Sequence, residues 1–355
     1  MYASLRLLPV LTVAFVVAAC QAIGPETIQR DRLDYTSAIG DSWKEQVLLN
    51  IVKLRYSDVP MFLDVSSVIS SYTLQSQVEI SARLFPKSAP SAFQNFGVTG
   101  LYTDRPTISY APLTGEKFIN NLLRPIPPQA IFAMIQAGTQ ADYILRVTVR
   151  AINDIYNYSG SRSRARHADP AFQRVIGAFR RIQQAGAMGM RIEKRRGVDV
   201  TLIFFRENAE EDVAKDIQLL SETLGIAPDK KEILLTFGSL HHSDGEIALL
   251  TRSMMEMLSE LAVVVKVPEQ HLAEGRARSI PESVARENPY PLVHIHSGSE
   301  PPTDANVSVR YRDYWFWIDD CDIESKRVFT FLRIFSSITK TGVVPQAPII
   351  TIPAN

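Results

Sequence analysis

The chain has 355 residues, 46% of them apolar and 21% charged, which excludes a largely disordered polypeptide and suits one or two globular domains. Thirty-eight basic residues balance thirty-eight acidic ones, so charge argues against a dedicated nucleic-acid binder. Two cysteines, Cys20 and Cys321, do not make a disulfide framework, and stability must come from an apolar core.

At the N-terminus, Arg6 precedes a 13-residue apolar run, Leu7–Ala19. The run is too short for a permanent membrane-spanning helix, and it ends in small residues that suit a cleavage site. Val17-Ala18-Ala19-Cys20 resembles the lipobox of bacterial lipoproteins. That resemblance implies a signal peptide over residues 1–19, cleavage before Cys20, and acylation of Cys20 with palmitate-type chains. It requires no other cofactor. Gln21, where an Asp would favour the inner membrane, implies the outer membrane with the body facing the periplasm. Each buried methylene contributes about 0.8 kcal/mol, and anchoring becomes stable with two or more chains. A plain secretory signal with an incidental cysteine is the alternative.

Residues 20–40 are polar, carry Gly24-Pro25, and read as a tether. Ser42 and Glu45 form a capping-box pattern, followed by Val47, Leu48, Ile51, Val52 and Leu54 at helical spacing up to Tyr56. From Met61 to Phe85 the period changes to two. Tyr72, Leu74, Val78, Ile80, Ala82 and Leu84 fall on one parity, and Thr73, Gln75, Gln77, Glu79, Ser81 and Arg83 on the other. This is strand alternation with one wet face. Further strands are predicted near 96–102 and 107–110, then helices behind Thr114 and Pro128, and a strand over 143–152.

The segment 159–167, Ser-Gly-Ser-Arg-Ser-Arg-Ala-Arg-His, is the clearest composition shift and places a soft domain boundary. The N-terminal domain would be α+β over 41–158, and the C-terminal domain α/β over 169–355. In the latter, Asp169-Pro170 opens a helix, strands are expected at 190–194 and 198–205, and a helix at 209–224 ends on Gly225. After a strand at 232–237, Ser243 and Glu246 suggest a second capping box. Ile247, Leu250, Met254, Met257, Leu258 and Leu261 form its helical stripe, leading to a buried strand at 263–267. Strands at 292–296, 306–312 and 314–318, a helix at 323–339 and a strand at 348–352 complete the chain. The expected class is mixed α/β, with a β-rich N-terminal part and then a partly parallel sheet covered by helices.

Four constellations invite a chemical reading. His294 and His296 sit two apart, as on one strand face, and could hold a metal ion with Asp319 or its neighbours Asp320 and Asp322. Such a site would suit a metal-dependent envelope hydrolase. The loop Gly238–Gly245, with His241 and His242, lies where α/β proteins bind ligands but contains neither a phosphate loop nor a nucleophile elbow. Between Arg150 and Arg196, eleven Lys or Arg stand against three acids. Arg162, Arg164, Arg166, Arg180, Arg181, Arg195 and Arg196 could form a contact for anionic headgroups or an acidic envelope protein. Finally, the alternating segments over 65–110 have the length and pattern of a hairpin that enters an oligomeric membrane barrel. They equally suit a half-exposed soluble sheet.

Asp41–Leu63 and Tyr311–Phe331, with Trp315-Phe316-Trp317-Ile318-Asp319-Asp320, are similar to proteobacterial envelope lipoproteins of unassigned activity. The resemblance therefore carries over no functional residue beyond Cys20. The leading expectation is a lipid-anchored outer-membrane lipoprotein that serves as a binding or assembly component, with no catalytic motif above background.

Overall fold

The computed structural model describes residues 25–69, 72–82, 94–104, 107–160, 167–195, 197–206, 208–228, 230–279 and 292–338. Cys20, Arg162, Arg164, Arg166, Arg196 and the strand expected at 348–352 lie outside these residues. The fold is mixed α/β and divides into two compact units, a body and the segment Met61–Leu113.

The body opens with α1 (Pro25–Arg55). The stretch read as a tether is thus helical from Pro25 onward. It looked like a tether because its apolar stripe begins only at Val47. Val47, Leu48, Ile51, Val52 and Tyr56 are buried, whereas Leu33 stays exposed. After residue 113 come α2 (Gly115–Phe118), a π-helical turn at Ile119–Leu123, α3 (Pro128–Gln136) and α4 (Ala141–Thr148). The strand expected over 143–152 is helical in its first half and becomes β5 (Val149–Ile152) only at the end.

β6 (Ile155–Tyr156), α5 (Pro170–Gln184), β7 (Met188–Arg195), β8 (Val198–Phe205), α6 (Glu211–Leu224), β9 (Ile233–Phe237) and β10 (Glu246–Thr251) follow. Among the described residues these strands form one sheet in the order β6-β5-β10-β9-β8-β7. Only the β9–β10 pair of this sheet is parallel. Strands before and after residues 159–167 share this sheet, so the polar segment marks a connection between β6 and α5 rather than the end of a core. Gly225 closes α6 at φ 69°, a conformation that glycine adopts without steric cost.

The Ser243–Glu246 capping box does not form. Residues 246–251 are the central strand β10, and the working capping box is Ser253 with Glu256 at the start of α7 (Met254–Val263). Segment 263–267, expected as a strand, is the end of that helix and the loop behind it. A short helix α8 (Glu269–Ala273) leads to a three-stranded antiparallel sheet, ordered β11 (His296–Gly298), β13 (Tyr314–Asp319), β12 (Ala305–Tyr311). Phe316 and Ile318 are buried on one face of β13, while Trp315 and Trp317 are half-buried on the other. The chain closes with α9 (Ile323–Ile338), which buries Val328, Leu332 and Phe335. α1 lies against α7 and β12, and α5 against α4 and α6. The largest buried side chains include Phe132 and Phe179, edge-to-face at 5.9 Å.

The second unit contains β1 (Leu63–Ile69), β2 (Tyr72–Ala82), β3 (Gln94–Asp104) and β4 (Thr107–Pro112). β1 pairs with β4 and β2 with β3, both antiparallel. Here the period-two pattern becomes strand, as alternation requires.

Candidate functional site

The candidate site is formed by the two strand pairs of the second unit, β1–β4 and β2–β3, taken together as its ribbon. Residues directly opposite in an antiparallel pair project to the same face, and neighbours along a strand project to opposite faces. The β2–β3 register therefore sorts the sequence. Leu74 stands opposite Tyr102, Val78 opposite Val98 and Ile80 opposite Phe96. The alternate positions pair Thr73 with Thr103, Gln75 with Leu101, Gln77 with Thr99, Glu79 with Gly97 and Ser81 with Asn95. The first face carries most of the apolar residues but also Asp104 opposite Tyr72, Ser76 opposite Gly100 and Gln94 opposite Ala82, and the other face is polar apart from Leu101 and Gly97, over eleven-residue strands.

β1 does not alternate simply, since its sequence is Leu-Asp-Val-Ser-Ser-Val-Ile. A bulge corrects the phase. Val65 pairs with Tyr110 and Ser67 with Ser109, which leaves Ser66 without an opposite residue. An extra residue of this kind shifts the pleat by one. Leu63, Val65 and Val68 thereby share a face with Pro112, Tyr110 and Ile108. Without the bulge, Val68 would fall on the side of Asp64. Leu63 and Tyr110 on this apolar face are 42% and 56% exposed, so nothing in the unit covers them. Among the described residues each pair is a sheet of two strands. A hairpin of this kind is marginal alone in water.

A cleft of about 530 Å³ in the body is the second feature, lined by Arg150, Arg252, Glu256, Glu260, Leu123 and Phe237 among others. Arg252 is 3% exposed and donates to the carbonyls of Arg146, Val147 and Tyr158, at 3.0, 3.0 and 2.7 Å. Burial holds its pKa below the usual guanidinium range, against the attraction of Glu260 and Glu256. Glu256 caps α7 and meets Arg150 at 3.4 Å, while Glu260 accepts from the Ser159 hydroxyl and the Gly160 amide. Arg150 pairs with Glu256, and the terminal nitrogens of Arg252 with backbone carbonyls, which braces β5, β10 and α7, while the buried Arg252 Nε finds no hydrogen-bond partner among the described residues. Sequence reading missed Arg252 and Glu260. The Ser253-Met-Met-Glu256 cap was the one local signal for this region.

The residues proposed for a metal are not gathered into one set. His294 precedes β11, and its Nδ1 meets Asp322 at 3.0 Å; His296 Nε2 meets Asp319 at 3.2 Å. Asp322 also accepts from the Ser325 amide and hydroxyl. Burial raises its pKa, but these bonds and His294 outweigh burial and hold it below the usual range. Asp319 takes the Trp317 indole N–H, and Asp320 takes Lys326. Each carboxylate thus has its own partner, and among the described residues no group of three or more His, Cys, Asp or Glu is arranged for a metal. In the loop 238–245, the His242 amide donates to Glu246 rather than facing a ligand.

The basic cluster is also divided in space. Arg181 makes a two-pronged pair with Asp216 at 2.7 and 2.8 Å, joining α5 to α6. Arg180 faces Asp142 at 3.8 Å, and Arg195 reaches Glu193 and Glu232 at 3.2 and 3.0 Å. Apart from Glu193 these acids lie outside the basic segment, so the fold compensates the described arginines of the cluster, Arg180, Arg181 and Arg195. Cys321 is exposed and free. Among the described residues no helix is long and apolar enough to cross a membrane.

No family model, curated protein or solved structure matches this chain.

Proposed function

We propose that this chain is an outer-membrane lipoprotein, anchored through Cys20, whose ribbon joins those of other copies in a transmembrane β-barrel. One observation carries the reading: the β2–β3 register groups Leu74, Val78, Ile80, Phe96, Val98 and Tyr102 on one face, with Asp104 at its end, and leaves a mostly polar face opposite. Membrane strands need about 9–11 residues and alternate lipid-facing with lumen-facing positions. β2 and β3 have eleven residues each.

The two-stranded pairing supports the same reading. In hydrocarbon every backbone N–H and C=O must be paired, so an isolated ribbon cannot insert. β2 of one copy beside β3 of the next continues the antiparallel order, and a head-to-tail contact repeated by rotation closes into a ring. Each copy contributes two strands. The smallest membrane barrels have about eight strands, which sets a minimum of about four copies. A water-filled lumen needs about sixteen, or about eight copies. The Cys20 acyl chains would hold the copies on one membrane surface and raise their local concentration.

The test uses the acylated full-length protein added to planar bilayers and to dye-loaded liposomes. Discrete conductance steps and dye release, both lost in Cys20→Ser at low protein concentration, are expected. A protein that binds liposomes through Cys20 but never conducts, and stays monomeric on crosslinking in the membrane, overturns the barrel and leaves only the anchor.

A further inference from the structure

We propose that the body pairs with a second copy of itself along β7, edge to edge and antiparallel, about a two-fold axis at Ile192. Among the described residues β7 ends the six-stranded sheet and pairs with β8 alone. A terminal strand presents backbone N–H and C=O groups on the side away from its neighbour, a template for another strand. The pairing uses the body only and stands whether or not the ribbon enters a membrane.

The sequence of β7 selects the partner. Arg191, Glu193 and Arg195 share one face of the strand with Gly189, and Met190, Ile192 and Lys194 share the other with Met188. A two-fold axis perpendicular to the sheet keeps both faces continuous, so residues opposite one another come from the same face. Centred on Ile192, the axis sets Arg191 opposite Glu193 of the second copy, twice over. Ile192 then meets its own counterpart, Met190 meets Lys194, and Gly189 meets Arg195. Opposite charges across a rung stabilise a sheet and like charges destabilise it. Neighbouring centres are worse on that count. An axis on Arg191 opposes two Arg191 side chains. One on Glu193 opposes two Glu193 side chains and sets Arg191 against Arg195. One on Lys194 gains Glu193 against Arg195 but opposes two lysines and carries Ile192 past the end of β7. One on Met190 leaves only Met188–Ile192 paired, with no opposite charges facing.

The side chains are available for this contact. Ile192 is 59% exposed, a large apolar group at the axis. Arg191 and Glu193 meet at 2.6 Å within the strand, and Arg195 reaches Glu193 at 3.2 Å, yet all three side chains stay a third to a half exposed. Both arginines also pair with Glu232. A guanidinium has five N–H donors, so Arg191 can serve Glu193 of the second copy as well. The same charges guard the edge, because they penalise pairing in other registers. A single strand pair is a small interface, so the dimer depends on concentration.

The test mixes two variants of the full-length chain, each in a Cys20→Ser, Cys321→Ser background that removes the anchor and both thiols. Arg191→Glu leaves acids alone at positions 191 and 193, and Glu193→Arg leaves bases alone, so each variant opposes like charges across the axis. In sedimentation velocity at rising concentration, the parent should dimerise, each variant should stay monomeric, and their equimolar mixture should dimerise again. A parent that is monomeric throughout overturns the proposal. Variants that dimerise alone, or a mixture that stays monomeric while both variants are folded by circular dichroism, overturn it as well. If either reversal unfolds the body, Ile192→Cys in the same background decides: a short thiol crosslinker should join two copies at the axis, and its failure to do so overturns the pairing. Each of these outcomes leaves the barrel reading untouched, since no membrane is present.

Discussion

The Tyr56 hydroxyl and His271 Nδ1 meet at 2.7 Å, with both residues at most 5% exposed. Tyr314 lies edge-on to the imidazole at 4.9 Å, and Arg312 stacks over Tyr56 at 5.1 Å while pairing with Asp58 at 2.8 Å. The contact joins the end of α1 to α8 and to the β12–β13 hairpin. Burial holds the His271 pKa below its ordinary 6.5, and Arg276 and Arg312 push the same way, against Glu274 and Asp313. The neutral ring accepts from Tyr56, whose own pKa burial pushes up to about 12.

This arrangement predicts acid sensitivity. The unfolded histidine binds its proton near 6.5 and the folded one only at lower pH. The contribution of His271 is therefore complete above 6.5 and is lost as pH falls toward the folded value. Urea midpoints should drop between about pH 7.5 and about pH 5.5, and His271→Gln should flatten that drop. An equal drop in the variant would assign the sensitivity elsewhere.

Asn153 should be among the most costly positions in the body. It is buried, and its amide donates to the carbonyls of Leu224 and Glu246 and accepts from the Ala248 amide, all within 3.0 Å. Asn153→Ala should destabilise the fold by about 2–4 kcal/mol, since it strands buried polar groups and places alanine at φ 45°. Asn153→Gly removes only the backbone part of that penalty. Chemical denaturation of the three proteins separates the two contributions.

The two faces of the ribbon should answer differently to one charge. Val78→Lys, on the apolar face, should abolish conductance, because a lysine facing lipid near the bilayer midplane costs about 2–4 kcal/mol in each copy. Gln77→Lys, one residue away on the polar face, should still form channels. Equal tolerance of both changes in bilayer recordings would mean that the faces do not partition between lipid and lumen.

Deleting Ser66 should be tolerated. The deletion removes the bulge but leaves Val65 opposite Tyr110 and Ser67 opposite Ser109, so Leu63, Val65 and Val68 keep the face of Pro112, Tyr110 and Ile108. Membrane insertion should persist, and its loss in the deletion would assign a role to the bulge itself. Ser66→Ala should behave as wild type in the same measurement.

Much of the fold was legible where local pattern and tertiary use agree. The β2 and β3 strands followed from alternation, and α5 and α6 from Asp169-Pro170 and Gly225. The failures share a cause. Ile247, Leu250, Met254 and Met257 fall at helical spacing, yet 246–251 is a strand buried almost throughout, whose apolar run carries no readable period. A capping box is a local motif, and Ser243 and Ser253 both offered one. Arg180, Arg181 and Arg195 of the arginine cluster meet Asp142, Asp216 and Glu232 from elsewhere in the chain, while Arg162, Arg164, Arg166 and Arg196 lie outside the described residues. The ribbon's alternation was legible, whereas the phase correction at Ser66 needed the register of β4.

At the root of the ribbon, the Leu113 amide donates to the Phe62 carbonyl at 2.9 Å, so the two ends of the segment leave side by side. A segment with adjacent ends behaves as a cassette, replaceable by a short turn without rerouting the chain around it. Its length is nevertheless quantised. Adding one residue to each strand interchanges the wet and dry faces, whereas adding two to each restores them and lengthens the ribbon by about 7 Å. Length variation in such a ribbon should therefore come in even steps.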